Sequence, residues 1–313
     1  MNALWPPVAD PLGEALHGLR MDSSLYARSE LSSPWGLEMP ALPGHVMFHA
    51  VTSGRCFLEV AGDPPRPLQP GDLALVSHGA GHRLVSEPGQ PSERLFDLPR
   101  EIVSERYEVL RYGGGGAATS IMCGVVRFDS AAAHHLVTLL PRTIVVDGWT
   151  SPQLDWLQST LRFMSDEAAQ LRPGGEIVVT RLADILVVQA IRSWIAQDPA
   201  ARTGWLGALR DPQVGRAMAL VHRQPERAWA LDTLADEVAM SRSAFAARFT
   251  ALVGEPAMRY VARLRMHLAQ TALRQPGARI ADVAARFGYA SEAAFSRAFK
   301  RYVGVAPGAA RRR

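Results

Sequence analysis

Two stretches decide how this chain is read: SRSAFAARFTALVG at residues 241–254 and SEAAFSRAFKRYVG at residues 291–304. Ser241, Phe245, Phe249, Val253 and Gly254 recur as Ser291, Phe295, Phe299, Val303 and Gly304, always 50 residues on. A serine ahead of such a run suits a helix N-cap, where its hydroxyl accepts from the orphan amides of the first turn. Two phenylalanines four apart share one helix face and form a buried stripe. A glycine at the far end takes the left-handed backbone that stops a helix. Each stretch follows a shorter periodic segment, LDTLADEVAM (231–240) and IADVAARFGYA (280–290). In those segments Ala235 and Ala284 let two helices approach closely. The pattern predicts two helix-turn-helix units, an arrangement in which the second helix enters the major groove of DNA.

The buried stripe fixes the opposite face as the one that would meet DNA. In the first unit that face is Ser243, Ala246, Ala247 and Thr250, with Arg242 at the helix start. In the second it is Ala293, Ser296, Arg297 and Lys300, with Glu292 at the start. Between the units PAMRYVARLRMHLAQTALRQ (256–275) predicts a long helix. About 19 helical residues span about 28 Å, close to the roughly 34 Å of one DNA turn. Arg259, Arg263, Arg265, Arg301 and Arg311 to Arg313 are candidates for phosphate contacts.

Charge supports the same reading. Residues 206–313 carry 18 Lys and Arg against 8 Asp and Glu, and residues 1–205 carry 16 against 22. A basic module beside an acidic one suits a polyanionic partner for the basic part. The plainer alternative, a helical bundle with a solvated basic surface, does not account for the duplication, the paired caps and the connector length together.

The front of the chain has a different texture. HVMFHAV, CFLEV, LALVS and HRLVS are short strand-like runs between Gly- and Pro-rich turns, which argue for an antiparallel sandwich or barrel. Residues 153–171 and 176–197 read as helices, parted by Pro173, Gly174 and Gly175. Self-association through this pair and packing on the front domain both remain open. The fold class is thus α+β: an N-terminal antiparallel barrel and an all-α C-terminal domain. The expected division is a front domain over 1–150, a helical linker over 151–205 that is a candidate for dimerisation, and a DNA-binding domain over 206–313.

Composition excludes several classes. The chain has 313 residues, 48% of them hydrophobic and 20% charged, as folded globular domains have. The most apolar run, Ile177 to Ile195, is interrupted by Arg181, Asp184 and Arg192, which argues against a membrane span. The first residues have neither the basic start nor the apolar core of a secretion signal. Two cysteines, Cys56 and Cys123, give no disulfide framework, so a cytoplasmic protein is expected.

MSRSAFAARF (240–249), VGEPAMRYVARLRMHLA (253–269) and IADVAARFGYASEAAFSRAFKRYVGVAP (280–307) closely resemble the AraC/XylS family DNA-binding domain. The likeness runs from about Ala228 to Pro307. In front of it, GHVMFHAVTSGRCFLEV (44–60), LQPGDLALVSHGAGHRL (68–84) and YGGGGAATSIMCGVVRFD (112–129) resemble a cupin-type sensor. The resemblance implies a transcription factor, activator or repressor, that binds double-stranded promoter DNA as a monomer or homodimer. It also implies a change in RNA polymerase recruitment when a small-molecule effector binds. Two positions depart from the family: Ala247 stands where a long polar or basic side chain is common, and Leu264 where Trp is common. Alanine can touch a thymine methyl but cannot make bidentate hydrogen bonds to a base. Arg297 is therefore expected to discriminate sequence more than any residue of the first unit.

Cupin barrels often hold a metal through histidines on two strands. His45 and His49 are four apart, as are His78 and His82, so each pair would share a strand face. The metal reading takes His49, His82 and the softer Cys123 as ligands for zinc or another divalent ion. The plainer reading has them lining a metal-free pocket. Gly113 to Gly116 lacks the Lys-Ser/Thr of a phosphate loop and reads as a turn. His134 and His135 read as surface residues, and His222 and His267 as phosphate-side or packing residues. A metal-dependent cupin enzyme carrying a DNA module is the competing class, and the regulator without catalysis is the reading adopted.

Overall fold

The computed structural model describes residues 21–128, 136–137, 139–147, 155–170, 172–199, 203–275 and 277–311. The described residues fall into two units, 21–128 with 136–196, and 197–311. His134, His135, Arg312 and Arg313 lie outside the described residues.

The first unit is sheet-rich. Its strands are β1 (Met21–Ser32), β2 (Gly36–Met39), β3 (His45–Ser53), β4 (Cys56–Val60), β5 (Arg66–Leu68), β6 (Leu73–Val76), β7 (His82–Val85), β8 (Glu93–Arg94), β9 (Arg100–Ser104), β10 (Tyr107–Gly113), β11 (Ala118–Phe128) and β12 (Thr143–Val146). The four expected runs are β3, β4, β6 and β7. The strands pair in two sheets, ordered β12-β6-β3-β11-β1-β10-β9 and β5-β4-β7-β2-β8. This corrects the barrel expected from the sequence. Closure needs every strand paired on both sides, and the described residues leave β12, β9, β5 and β8 as edges. Nor is the pairing wholly antiparallel, since β1 runs parallel to β10 and β2 parallel to β8.

The core lies between the sheets. Leu31, Val51, Val76 and Ile121 from one face meet Leu37, Leu58, Leu68 and Leu84 from the other. Burying each such side chain contributes about 2 kcal/mol. Strand β3 is buried along nearly its whole length because it is central and α1 (Asp155–Gln170) packs on it. A second long helix, α2 (Gly175–Gln197), is tied to the sheet where Tyr26 Oη donates to Asp184 Oδ1 at 3.3 Å. Both helices therefore pack within the sheet unit. Phe163, Ile177 and Ile185 stay exposed on them.

The second unit is helical: α3 (Gly204–Arg210), α4 (Pro212–Arg223), α5 (Leu231–Glu237), α6 (Arg242–Val253), α7 (Ala257–Leu273), α8 (Ile280–Arg286), α9 (Glu292–Val303) and α10 (Pro307–Ala310). Ser241 and Ser291 cap α6 and α9 by accepting from the amides of Ala244 and Ala294. Gly254 and Gly304 end them with φ of 83° and 84°. In the second pair Phe295 and Phe299 pack against Met266, Leu273, Val283 and Phe287.

The turns within the two pairs match in backbone but not in residue type. The amides of Met240 and Tyr289 donate to the carbonyls of Ala235 and Ala284 at 3.0 Å in both cases. The second turn passes through Gly288 at φ 81°, while the first passes through Ala239 at φ 53°. Left-handed backbone costs a residue with a Cβ about 1 kcal/mol. Among the described residues, no helix is long and apolar enough to cross a membrane.

Candidate functional site

The two capped helices present alike surfaces. On α6, Phe245 and Phe249 are buried, while Arg242, Ser243 and Ala247 are exposed and Ala246 is half-buried. On α9, Phe295 and Phe299 are buried, while Glu292, Ala293, Arg297 and Lys300 are exposed and Ser296 is half-buried. The residues expected to face DNA thus lie on the solvent side of both helices. The exposed faces differ in chemistry. Arg297 and Lys300 reach out from α9, whereas the equivalent positions of α6 carry the smaller Ala247 and Thr250.

Several arginines expected at phosphates have partners inside the unit. Arg263 donates from Nε and Nη2 to Glu255 Oε1, at 3.0 and 2.6 Å. Arg265 donates to the carbonyls of Pro225 at 2.8 Å and Arg227 at 2.5 Å. Burial lowers its pKa from the usual arginine value. Arg248, on α6, donates to Asp211 Oδ2 at 3.0 and 2.6 Å. That same carboxylate group caps α4 through the amides of Gln213 and Val214. Arg259 keeps 66% of its side chain exposed and is only loosely paired with Glu255. The basic surplus read from composition is therefore partly neutralised locally, which residue counting does not reveal.

In the sheet unit His49, His82 and Cys123 do meet. Cys123 lies opposite His49 across the β11–β3 ladder, and His82 begins β7 of the other sheet. His49 Nδ1 is 3.2 Å from Cys123 Sγ, and His49 Nε2 is 2.7 Å from His82 Nε2. His82 Nδ1 is 3.0 Å from the Ala80 carbonyl, which can only accept. Neutral His82 therefore carries its proton on Nδ1 and accepts at Nε2. His49 donates from Nε2, which leaves Nδ1 to accept from the Cys123 thiol. Burial keeps both rings neutral: it pushes His82 down to about 4 and His49 well below the usual histidine range. Burial also raises the Cys123 thiol to about 12.

This geometry does not fit a metal. The two nitrogens of His49 point to opposite sides of its ring, so one ion cannot sit between His49, His82 and Cys123. Among the described residues, no group of three His, Cys, Asp or Glu side chains is placed to hold an ion. His45 contacts the Pro43 carbonyl instead. His78 does not share a strand face with His82: it sits in a turn at φ 60° and contacts the Leu140 carbonyl.

Beside the chain lies an apolar cavity of about 40 Å³, walled by Leu25, Met39, Leu42, Met47, Phe96 and Val125, with His49, Glu108 and Cys123 as its polar edge. Sequence reading missed this cavity because Leu25 lies on β1 and Phe96 on a short 3₁₀ turn, Leu95–Asp97, in segments without a clear strand signal.

Comparison with known proteins agrees with both units. Residues 10–196 match the cupin family and residues 234–313 match a helix-turn-helix domain. The chain is 35% identical to an AraC-like transcription regulator of Streptomyces lividans, over 96% of this chain and 97% of that protein. It is 27% identical to the HTH-type transcriptional regulator AlkR of Acinetobacter baylyi, over 95% of this chain and 97% of that one. Among solved structures, the DNA-binding domain of AdpA in complex with a target DNA is similar at 29% identity, with a TM-score of 0.31. That match covers 33% of this chain and 91% of the other. The two family matches and the full-length relatives define a DNA-binding transcription regulator with a cupin domain in front. The chain belongs to the AraC-type regulators. Its named relatives are regulators, and no catalytic function is indicated.

Proposed function

We propose that this regulator grips double-stranded promoter DNA with two helix-turn-helix units, α5/α6 and α8/α9, and answers to a small molecule held between its sheets. The observation that carries the reading is the pair of solvent-facing surfaces on equivalently capped helices. Arg242, Ser243, Ala246 and Ala247 face one groove; Glu292, Ala293, Ser296, Arg297 and Lys300 face the next. Arg297 supplies most of the base discrimination, because arginine bonds bidentately to guanine and alanine cannot.

In this reading residues 1–150 form the sensor, 151–205 the helical linker and 206–313 the DNA-binding part. The lining of the cavity beside His49 and Cys123 suits an uncharged, largely apolar effector, but at about 40 Å³ it would have to widen to reach the roughly 300 Å³ that ligand pockets offer. Exposed Ile177 and Ile185 on α2 support a homodimer, and RNA polymerase is the partner whose recruitment changes in the cytoplasm. The test is binding of the full-length chain to duplexes selected from a random pool, measured across a salt series. A steep salt dependence is expected, and Lys300→Ala should reduce its slope by about 1. Absence of salt-sensitive binding to every selected duplex would overturn the reading.

A further inference from the structure

The helical unit contains a buried polar chain that the DNA-facing residues do not need. Trp205 of α3 donates from Nε1 to Tyr260 Oη of α7 at 3.0 Å. Tyr260 donates in turn to His222 Nε2 of α4 at 2.5 Å. Trp205 and Tyr260 are each 3% exposed. Trp can only donate and the Tyr hydroxyl has one proton to give, so each partner's role is set. Burial keeps His222 neutral, at about 4, and the nearby Arg263 acts in the same direction.

Tyr260 also packs edge-on against Phe249 of α6, with ring centroids 5.7 Å apart. The first half of α7 is thereby fastened to α3, α4 and α6 at one point. The loop after α4 makes the second fastening. Arg265 of α7 holds its carbonyls at Pro225 and Arg227, and Arg286 of α8 pairs with its Glu226 at 2.6 Å. Apolar packing tolerates small slides, but a buried hydrogen-bond chain has one satisfied geometry. Helix α7 has 17 residues and spans about 26 Å. A small tilt at Tyr260 is therefore amplified at its far end, where α8 and α9 are carried.

We propose that Trp205, Tyr260 and His222, backed by Glu226 and Arg286, form a positioning lock. The lock holds α6 and α9 at one separation and angle, so that the protein accepts one spacing between the two halves of its DNA site. The inference rests on the reading of α6 and α9 as the DNA-reading helices.

The experiment uses the full-length chain and a duplex selected by the wild type from a random pool, with its two halves mapped by footprinting. Versions with one base pair inserted or removed between the halves, and each half alone, are titrated with wild type, Tyr260→Phe and Glu226→Gln. Wild type should lose about tenfold or more on a one-base-pair change, as when base contacts of one unit are lost. Tyr260→Phe should bind the better half-site within about twofold of wild type, yet lose less than about threefold on the same change. Glu226→Gln should lie between them.

If Tyr260→Phe discriminates spacing as steeply as wild type, the lock is overturned, whatever its absolute affinity. Should circular dichroism show that this variant is unfolded, Trp205→Phe removes a single hydrogen bond and is judged by the same criterion. A wild type that binds duplexes without spacing preference also refutes the lock, but leaves the DNA reading standing. A wild type that binds none refutes the DNA reading itself.

Discussion

Acidification from about pH 7 to about pH 5 is expected to weaken the sheet unit by about 2 kcal/mol through His82 alone. Its folded pKa is about 4, against about 6.5 in an unfolded chain. Because the folded value is the lower one, the unfolded state takes up the proton first as the pH falls. Stability from this group is complete above about 6.5, drains away between about 6.5 and 4, and totals about 3 kcal/mol. His49 is shifted in the same direction and adds to the loss. Burial explains the sign: it penalises the charged ring, and the hydrogen bond from Nδ1 to the Ala80 carbonyl offsets this only in part. Urea unfolding of wild type and His82→Gln at both pH values checks this, since the glutamine oxygen can still accept from His49. Contributions from His222 and the surface carboxylates are common to both proteins and cancel. Wild type should lose at least about 1 kcal/mol more than the variant. Equal losses would mean that the pair is not held neutral by its surroundings.

Three further outcomes are expected. Phe299→Ala, at a fully buried site, should cost about 3–5 kcal/mol in chemical denaturation, and a loss under 1 would contradict the packing. Arg297→Ala should weaken binding to the selected duplex by about 1–3 kcal/mol and relax preference at one base position, whereas Ser243→Ala should change it by less. Selection from a random pool with each variant tells the two apart. Ala239→Gly should raise stability by about 0.5–1 kcal/mol, because it relieves the left-handed alanine. A lower melting temperature would count against that.

Local chemistry made the helical unit readable: serine caps, paired phenylalanines and terminal glycines each act within one or two turns, and every helix they bracket falls where expected. Helix α3 escaped notice because GWLGALR is short and its Thr203 N-cap makes no side-chain cap hydrogen bond. The partners of Arg248, Arg263 and Arg265 were invisible for a different reason, being fixed by tertiary geometry rather than by spacing. In the sheet unit β1 was hidden by its polar alternation, with Arg28 and Glu30 beside buried Tyr26 and Leu31. Without β1 the choice between sandwich and barrel, both open from the strand pattern, fell to the barrel. The meeting of His49, His82 and Cys123 was foreseen, but the direction of the His49 ring, which favours a hydrogen-bond chain over metal ligation, needed the register of β3 against β11 and β7.

Asp211 has one further consequence. Its carboxylate group both starts α4 and holds down Arg248. An asparagine there would keep the helix start, since both residues cap well, but would surrender the ion pair. A single substitution outside the base-reading set would thus hand one positive charge back to α6. Grip on the phosphate backbone could then be retuned while the letters being read stayed the same.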